Sequence, residues 1–229
     1  MHVPDGFLSV PVSIATGVVA AGAIGLALRN SRAELLDDRK APMVGIVATV
    51  IFATQMINFP VGAGTSGHLL GGALAAVLLG PWTAILALSA VVIVQALLFA
   101  DGGLTALGTN ITLMGLVTVT VSWWVFRGLI RVLPARRWSL AVGAAIGGLL
   151  SVPASAIAFV GLFAIGGQVA VPLGPVLTAM IGWHTLIGIG EAIITGLIVA
   201  AVLASRPDLV YGAQFQRSAP AAMTEAVPT

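Results

Sequence analysis

A chain of 229 residues with 10 Lys and Arg, 8 Asp and Glu and a 59% hydrophobic share cannot clothe a water-facing surface, because soluble domains carry about a quarter charged residues. The mean hydropathy of +1.09 and the net charge of only +2 exclude a nucleic-acid binder and a disordered chain, and the lack of cysteine excludes a disulfide scaffold or a thiolate metal site. What remains is an all-α polytopic protein of the cell (inner or plasma) membrane, with the lipid bilayer around it and no nucleic acid as partner.

The chain opens on Met1-His2-Val3-Pro4-Asp5-Gly6-Phe7. This segment lacks the basic stretch of a cleavable signal, so the Met1 amine is expected to persist. Pro4-Asp5-Gly6-Phe7 reads as a tight turn that docks the terminus against the bundle. Apolar runs then predict spans near 10–28, 42–59, 68–80, 82–100, 105–126, 139–165 and 175–204. A Gly-rich loop, Gly62-Ala63-Gly64-Thr65-Ser66-Gly67, precedes the third span, and Gly80-Pro81 cuts that span short.

The basic residues decide whether the short segment crosses. They gather as Arg29/Arg32/Arg39/Lys40, Arg127/Arg131/Arg136/Arg137 and Arg206/Arg217. Short basic loops stay cytoplasmic, and only a crossing by the third segment brings all three clusters to one side. The expectation is therefore seven helices, with the amino terminus outside and folded into the bundle and the carboxyl terminus cytoplasmic. Trp123 and Trp124, a turn before Arg127, fit an interfacial aromatic belt. Residues 1–211 form one transmembrane metal-binding domain on this reading. Residues 212–229 form a loose tail, the chain already loosening after Ser205.

Few strongly polar groups interrupt the apolar spans: His2, Asp5, His68, Asp101, His184 and Glu191, with the amides Gln55, Asn58, Gln95 and Asn110. Most fall at the outer ends, and charged groups in a membrane are costly enough to mark function or pairing. The Met1 amine, the His2 amide nitrogen and the His2 imidazole can close adjacent chelate rings on one ion if the amide deprotonates. Late transition ions that favour planar nitrogen coordination do this most readily. Such a set leaves one corner open, and His68, directly after the Gly-rich loop, is the natural fourth donor. The bland alternatives are a frayed His2 and a packed, hydrogen-bonded His68. His184, Gly188 and Glu191 share one face of the last helix, as an internal hydrogen-bonded pair or as a relay beside the metal. Gln55 and Asn58 are expected to support the Gly-rich loop, and Asp101 stands in an outer loop before Gly102-Gly103.

These residues resemble a known family. Met1–Phe7, Ala63–Gly72, Gln95–Gly103 and His184–Ala192 are similar to motifs of the substrate-binding membrane component of energy-coupling-factor transporters for cobalt and nickel, and the likeness runs from Met1 to about Tyr211. The resemblance implies a square-planar site for one divalent cobalt or nickel ion, made by the Met1 amine, the His2 amide nitrogen and imidazole, and the His68 imidazole. Gln55, Asn58, Ser66, Asp101, His184 and Glu191 would surround it. It implies assembly with a transmembrane coupling protein, two cytoplasmic ATPase subunits and often a small accessory membrane subunit. It also implies a non-catalytic transport role, with cobalt serving cobalamin synthesis or nickel feeding nickel enzymes. No organic cofactor is expected.

Two rival readings fit the residues less well. Gly64-Thr65-Ser66-Gly67 resembles the nucleophile motif of rhomboid intramembrane serine proteases, with His184 as base, but a nucleophilic Ser needs its base within hydrogen-bond reach, and His2 would go unexplained. An independent secondary carrier would show repeated halves and several carboxylates at mid-membrane, whereas only Glu191 lies deep in a span. No Gly-rich phosphate loop with Lys occurs, so partners must supply the energy.

Overall fold

The computed structural model describes residues 1–32, 41–62 and 65–216. Ala63, Gly64, Arg39, Lys40, Arg217 and the tail from 218 to 229 lie outside the described residues. Among the described residues seven helices run in order: α1 (Val10–Asn30), α2 (Ala41–Gln55), α3 (Gly72–Leu79), α4 (Pro81–Leu98), α5 (Leu107–Val132), α6 (Arg137–Gly166) and α7 (Leu173–Ser205). A short antiparallel hairpin, β1 (Phe59–Gly62) with β2 (Thr65–Gly67), joins α2 to α3. All but α2 and α3 are long and apolar enough to cross a membrane. Their outer faces carry exposed Val10, Ile14 and Val18 on α1 and Leu186, Ile193 and Leu197 on α7. Side chains of this kind suit lipid rather than water, and the chain is a multi-pass membrane protein.

The third apolar segment departs from a plain span. Helix α3 has eight residues, all buried. At about 1.5 Å per residue it covers about 12 Å, well short of the roughly 30 Å hydrocarbon core. The hairpin and the non-helical stretch from His68 to Gly71 precede it. Irregular backbone at membrane depth is tolerated only where protein surrounds it, and here His68, Leu70 and Gly71 are all buried. Pro81 opens α4 directly after Gly80, whose φ of 85° makes the reversal. A Cβ at Gly80 would also press on the Tyr211 ring at 2.9 Å.

Helix α5 contains a π-helical stretch, Ile111–Val117, of the kind that recurs at functional sites. Helices α1 and α5 meet at Gly17 and Gly108, where a Cβ on Gly108 would overlap the Gly17 backbone. The chain after Ser205, expected to be loose, instead packs through Gln216. Tyr211 and Phe215 stack about Trp123, Arg127 lies 3.8 Å over the Phe215 ring, and Gln216 Nε2 donates to Arg136 O at 2.8 Å.

The core falls into two clusters. One, at the end that carries Arg131, Arg137 and Arg206, gathers Leu74–Leu79, Leu88, Phe126 and Leu140. The other, at the amino-terminal end, gathers Met1, Val3, Phe7, Leu70, Phe159, Phe163, Met180 and Ile187. The first residues of the chain are thus part of the hydrophobic core.

Candidate metal centre

The amino-terminal segment is held by side chains that satisfy its backbone. Asn110 Oδ1 accepts from Val3 N at 2.8 Å, and Asn110 Nδ2 donates to Val3 O at 3.1 Å. Gly103 N donates to the same carbonyl at 2.9 Å. Asp5 Oδ1 accepts from both Thr105 N and Thr105 Oγ1, at 2.7 and 2.5 Å. Gly6 turns the chain with φ 73°, and Phe7 packs on Phe159 and Phe163. The predicted turn therefore docks as expected. Met1 is 1% and His2 4% exposed, so the segment is inserted, not frayed.

His68 enters from β2 and is 1% exposed. Its Nε2 lies against the Met1 amine and 3.1 Å from His2 Nδ1. The far nitrogen of each ring is committed elsewhere. His2 Nε2 donates to Gln95 Oε1 at 3.1 Å, and His68 Nδ1 donates to Leu69 O at 2.8 Å. Carbonyl oxygens only accept, so these contacts fix both tautomers and leave bare lone pairs on His2 Nδ1 and on His68 Nε2, the latter against the amine. Gln95 is positioned in turn: its Nε2 donates to Gln55 Oε1 at 3.0 Å, and Gln55 Nε2 donates to Leu70 O at 2.8 Å.

Electrostatics favour bare donors. Burial, chiefly, pushes the Met1 amine below its ordinary value, with Asp101 opposing. Burial and then the Met1 amine lower His2, against Asp101 and Gln95. Asp101 Oδ1 sits 3.1 Å from His2 Nδ1, an acceptor facing a lone pair unless a cation stands near both. Asn58 Nδ2 donates to Asp101 Oδ2 at 3.2 Å, which ties the loop after α2 to the loop after α4.

No group of three or more His, Asp or Glu side chains that could hold a metal occurs among the described residues. A metal here must draw on main-chain nitrogen. The Met1 amine and the His2 amide supply it, and with the two imidazoles they make a set of four nitrogens of the type late transition ions take in planar geometry.

The remaining candidates divide. Glu191 is 2% exposed, and its carboxyl oxygens accept from Leu70 N at 2.6 Å and Gly71 N at 2.9 Å. These amides lie just before α3, which begins at Gly72, so neither has an acceptor within that helix. His184 is not paired with Glu191, a correction to the expected pair. Its Nδ1 donates to Met180 O at 2.8 Å along its own helix, and its buried Nε2 has no hydrogen-bond partner. A buried polar atom left so costs about 1–3 kcal/mol. The same geometry leaves His184 without a hydrogen bond to Ser66, which lies in β2 opposite Pro60, so the arrangement of a Ser–His nucleophile is not made. Gln95 and Asn110 were visible in the sequence as amides within apolar runs, but their partners on the first three residues were not.

Residues 2–209 match the family described as cobalt uptake substrate-specific transmembrane region. A Haloquadratum walsbyi protein provisionally named for metal transport is 41% identical over 95% of this chain and 96% of its own length. An Archaeoglobus fulgidus protein provisionally named as a fused nickel transport protein is 36% identical over 99% of this chain and 72% of its own. The crystal structure of a truncated transition metal transporter superposes with a TM-score of 0.81 at 31% identity, over 89% of this chain and 99% of that one.

Proposed function

Because this chain belongs to the CbiM family, the cobalt uptake substrate-specific transmembrane region, and is a membrane component of cobalt or nickel transport, we propose that it is the substrate-capture subunit of an ATP-driven energy-coupling-factor importer. The substrate is one divalent cobalt or nickel ion. It binds among the Met1 amine, the His2 amide nitrogen, His2 Nδ1 and His68 Nε2, in a site that faces the exterior with the basic end of the bundle in the cytoplasm. A transmembrane coupling protein and two ATPase subunits, with or without a small accessory membrane subunit, supply the energy. Cobalt delivered this way feeds cobalamin synthesis, and a nickel-specific role in supplying nickel enzymes is the alternative.

One observation carries the reading: the Met1 amine and His2 Nδ1 at the amino terminus converge in a buried spot with His68 Nε2 from a distant part of the chain, and both ring lone pairs are freed because Gln95 and Leu69 O occupy the other ring nitrogens. The chemistry follows from the donor types. A dipositive ion that displaces the His2 amide proton leaves one net positive charge, and Asp101, 3.1 Å from His2 Nδ1, balances it. Burial of Met1, His2 and His68 keeps water from completing the coordination shell.

The test is elemental analysis of protein with a free amino terminus, purified after growth in cobalt and nickel together. One ion per chain is expected in the parent, with loss in His2→Ala and His68→Ala. Full metal content in both variants, with the fold intact, would remove the proposed site.

A further inference from the structure

A hydrated ion has little access to the proposed donors themselves, because Met1, His2 and His68 are at most 4% exposed. Asp101 is within its reach: the side chain is 15% exposed, yet Oδ1 lies 3.1 Å from His2 Nδ1. Among the described residues it is the only carboxylate within ion-pair reach of Met1, His2 or His68. Asp5 Oδ1 is taken by Thr105, and Glu191 by the amides of Leu70 and Gly71. His2 carries its ring proton on Nε2, facing Gln95 Oε1. The contact with Asp101 therefore sets two acceptors face to face with no hydrogen to share, an arrangement that a cation relieves.

The backbone is strained to hold the carboxylate there. Ala100, with φ 50°, is the one residue other than glycine at positive φ among the described residues, and such outliers cluster at ligand clamps. Phe99 N and Asp101 N on either side of it both donate to Gln95 O at 3.1 Å, so the residue that orients His2 also anchors this loop. Gly102 and Gly103 then lie directly on the amino-terminal segment. A Cβ on Gly102 would come within 3.1 Å of the His2 ring and 2.8 Å of Asn110 Nδ2, and one on Gly103 would overlap Asp5 N. The loop thus covers the amino-terminal donors, with Asp101 at the edge that water reaches and Asn58 Nδ2 on its other oxygen at 3.2 Å.

We propose that Asp101 is the entry group of the centre, drawing the hydrated dication to the mouth of the site and passing it inward to His2, so that its charge sets the rate of loading. The proposal rests on the capture-site reading above. No three His, Asp or Glu side chains among the described residues group to hold one ion. The carboxylate accordingly acts on the approaching ion through its charge and the ion's own waters, and does not join the four nitrogens. Its charge has more to act on during entry than afterwards. The approaching ion is dipositive, whereas the seated centre, once the His2 amide proton has left, carries one net charge, and Coulomb attraction scales with that charge. Asp101 therefore lowers the barrier to entry by more than it stabilises the loaded site, and the same lowered barrier speeds exit.

Stopped-flow mixing of nickel(II) chloride with the full chain, with a free amino terminus and in uncharged detergent, tests this. Absorption of the nickel–nitrogen centre reports loading, and a chelator chase reports release. In Asp101→Asn, which keeps the shape and an acceptor for Asn58, the on-rate at low salt is expected to fall about tenfold or more, while the off-rate does not rise. Added salt should slow the parent and leave Asp101→Asn nearly unchanged, and Asp101→Glu, which keeps the charge, should load faster than Asp101→Asn. A group that merely latched the loop would give the opposite split, a faster off-rate at an unchanged on-rate. That split, an Asp101→Asn on-rate within about twofold of the parent's, or an Asp101→Glu variant no faster than Asp101→Asn overturns the proposal. Should Asp101→Asn not fold, a parent on-rate indifferent to salt overturns it equally. A parent chain that takes up no nickel overturns the capture site itself, and the entry role with it.

Discussion

Replacement of Glu191 by Ala probes how a buried carboxyl on α7 sets the position of His68. The wild-type side chain accepts two hydrogen bonds, from Leu70 N at 2.6 Å and Gly71 N at 2.9 Å. Neither amide has a helical acceptor, because α3 begins at Gly72. At about 1–3 kcal/mol for each buried donor left unpaired, removal of both acceptors costs on the order of 2–6 kcal/mol. The loss acts on a segment that Gln55 still grips through Leu70 O, so the break is local and lies two residues from His68. We expect a lower thermal midpoint in detergent and a metal affinity reduced by about 10–100-fold, the range seen when groups that orient a ligand are removed. Glu191→Gln, which keeps one carbonyl acceptor but sets an NH2 against the second amide, should fall between. Unchanged melting and unchanged metal affinity in Glu191→Ala would refute the capping role.

Gln95→Leu frees His2 Nε2 and with it the choice of tautomer, and metal affinity measured by equilibrium dialysis should drop about 10–100-fold with little change in melting. Asn110→Ala removes both bonds to Val3 and should loosen the first residues, seen as faster hydrogen exchange there and a faster metal off-rate. Gly108→Ala forces α1 from α5 at the Gly17 backbone and should cost about 1–3 kcal/mol in unfolding experiments, while Gly17→Ala, whose Cβ meets open space, should be near neutral. The Asp5 carboxyl is held below its ordinary value first by the Thr105 side-chain hydrogen bond. Its contribution to docking is therefore complete above the ordinary carboxyl value and fades as the pH falls through the depressed one. Exchange at Val3 should rise with acid in the parent and be already raised, with less pH dependence, in Asp5→Ala.

The long spans were legible because lipid demands continuous apolar runs: α1, α4, α6 and α7 begin and end within about two residues of expectation. Segment three was not, since hydropathy cannot tell a helix from buried irregular chain. The first part of 68–80 is non-helical because Glu191 and Gln55 satisfy its backbone in place of helical bonds. The span placed at 42–59 likewise stops at Gln55, where the chain leaves for the hairpin. The proposed donors Met1, His2 and His68 stood out by residue type and by the topology that put them at one end. The clamps on them did not: the bonds from Gln95 to His2 and from Asn110 to Val3 link residues 93 and 107 positions apart, and no local pattern records such pairings. His184 and Glu191 share a helix face as expected, yet each turned to a different partner.

The central claim is that the start of the polypeptide is itself part of the chelate. Insertion of one Ala between Met1 and His2 preserves every side chain but breaks the adjacency of amine, amide and imidazole on which the fused rings depend. Metal content per chain, measured on parent and insertion variant purified side by side and shown by thermal unfolding to be equally folded, is the direct test. One ion in the parent and none in the variant is the predicted result. One ion retained by the folded variant would contradict the account.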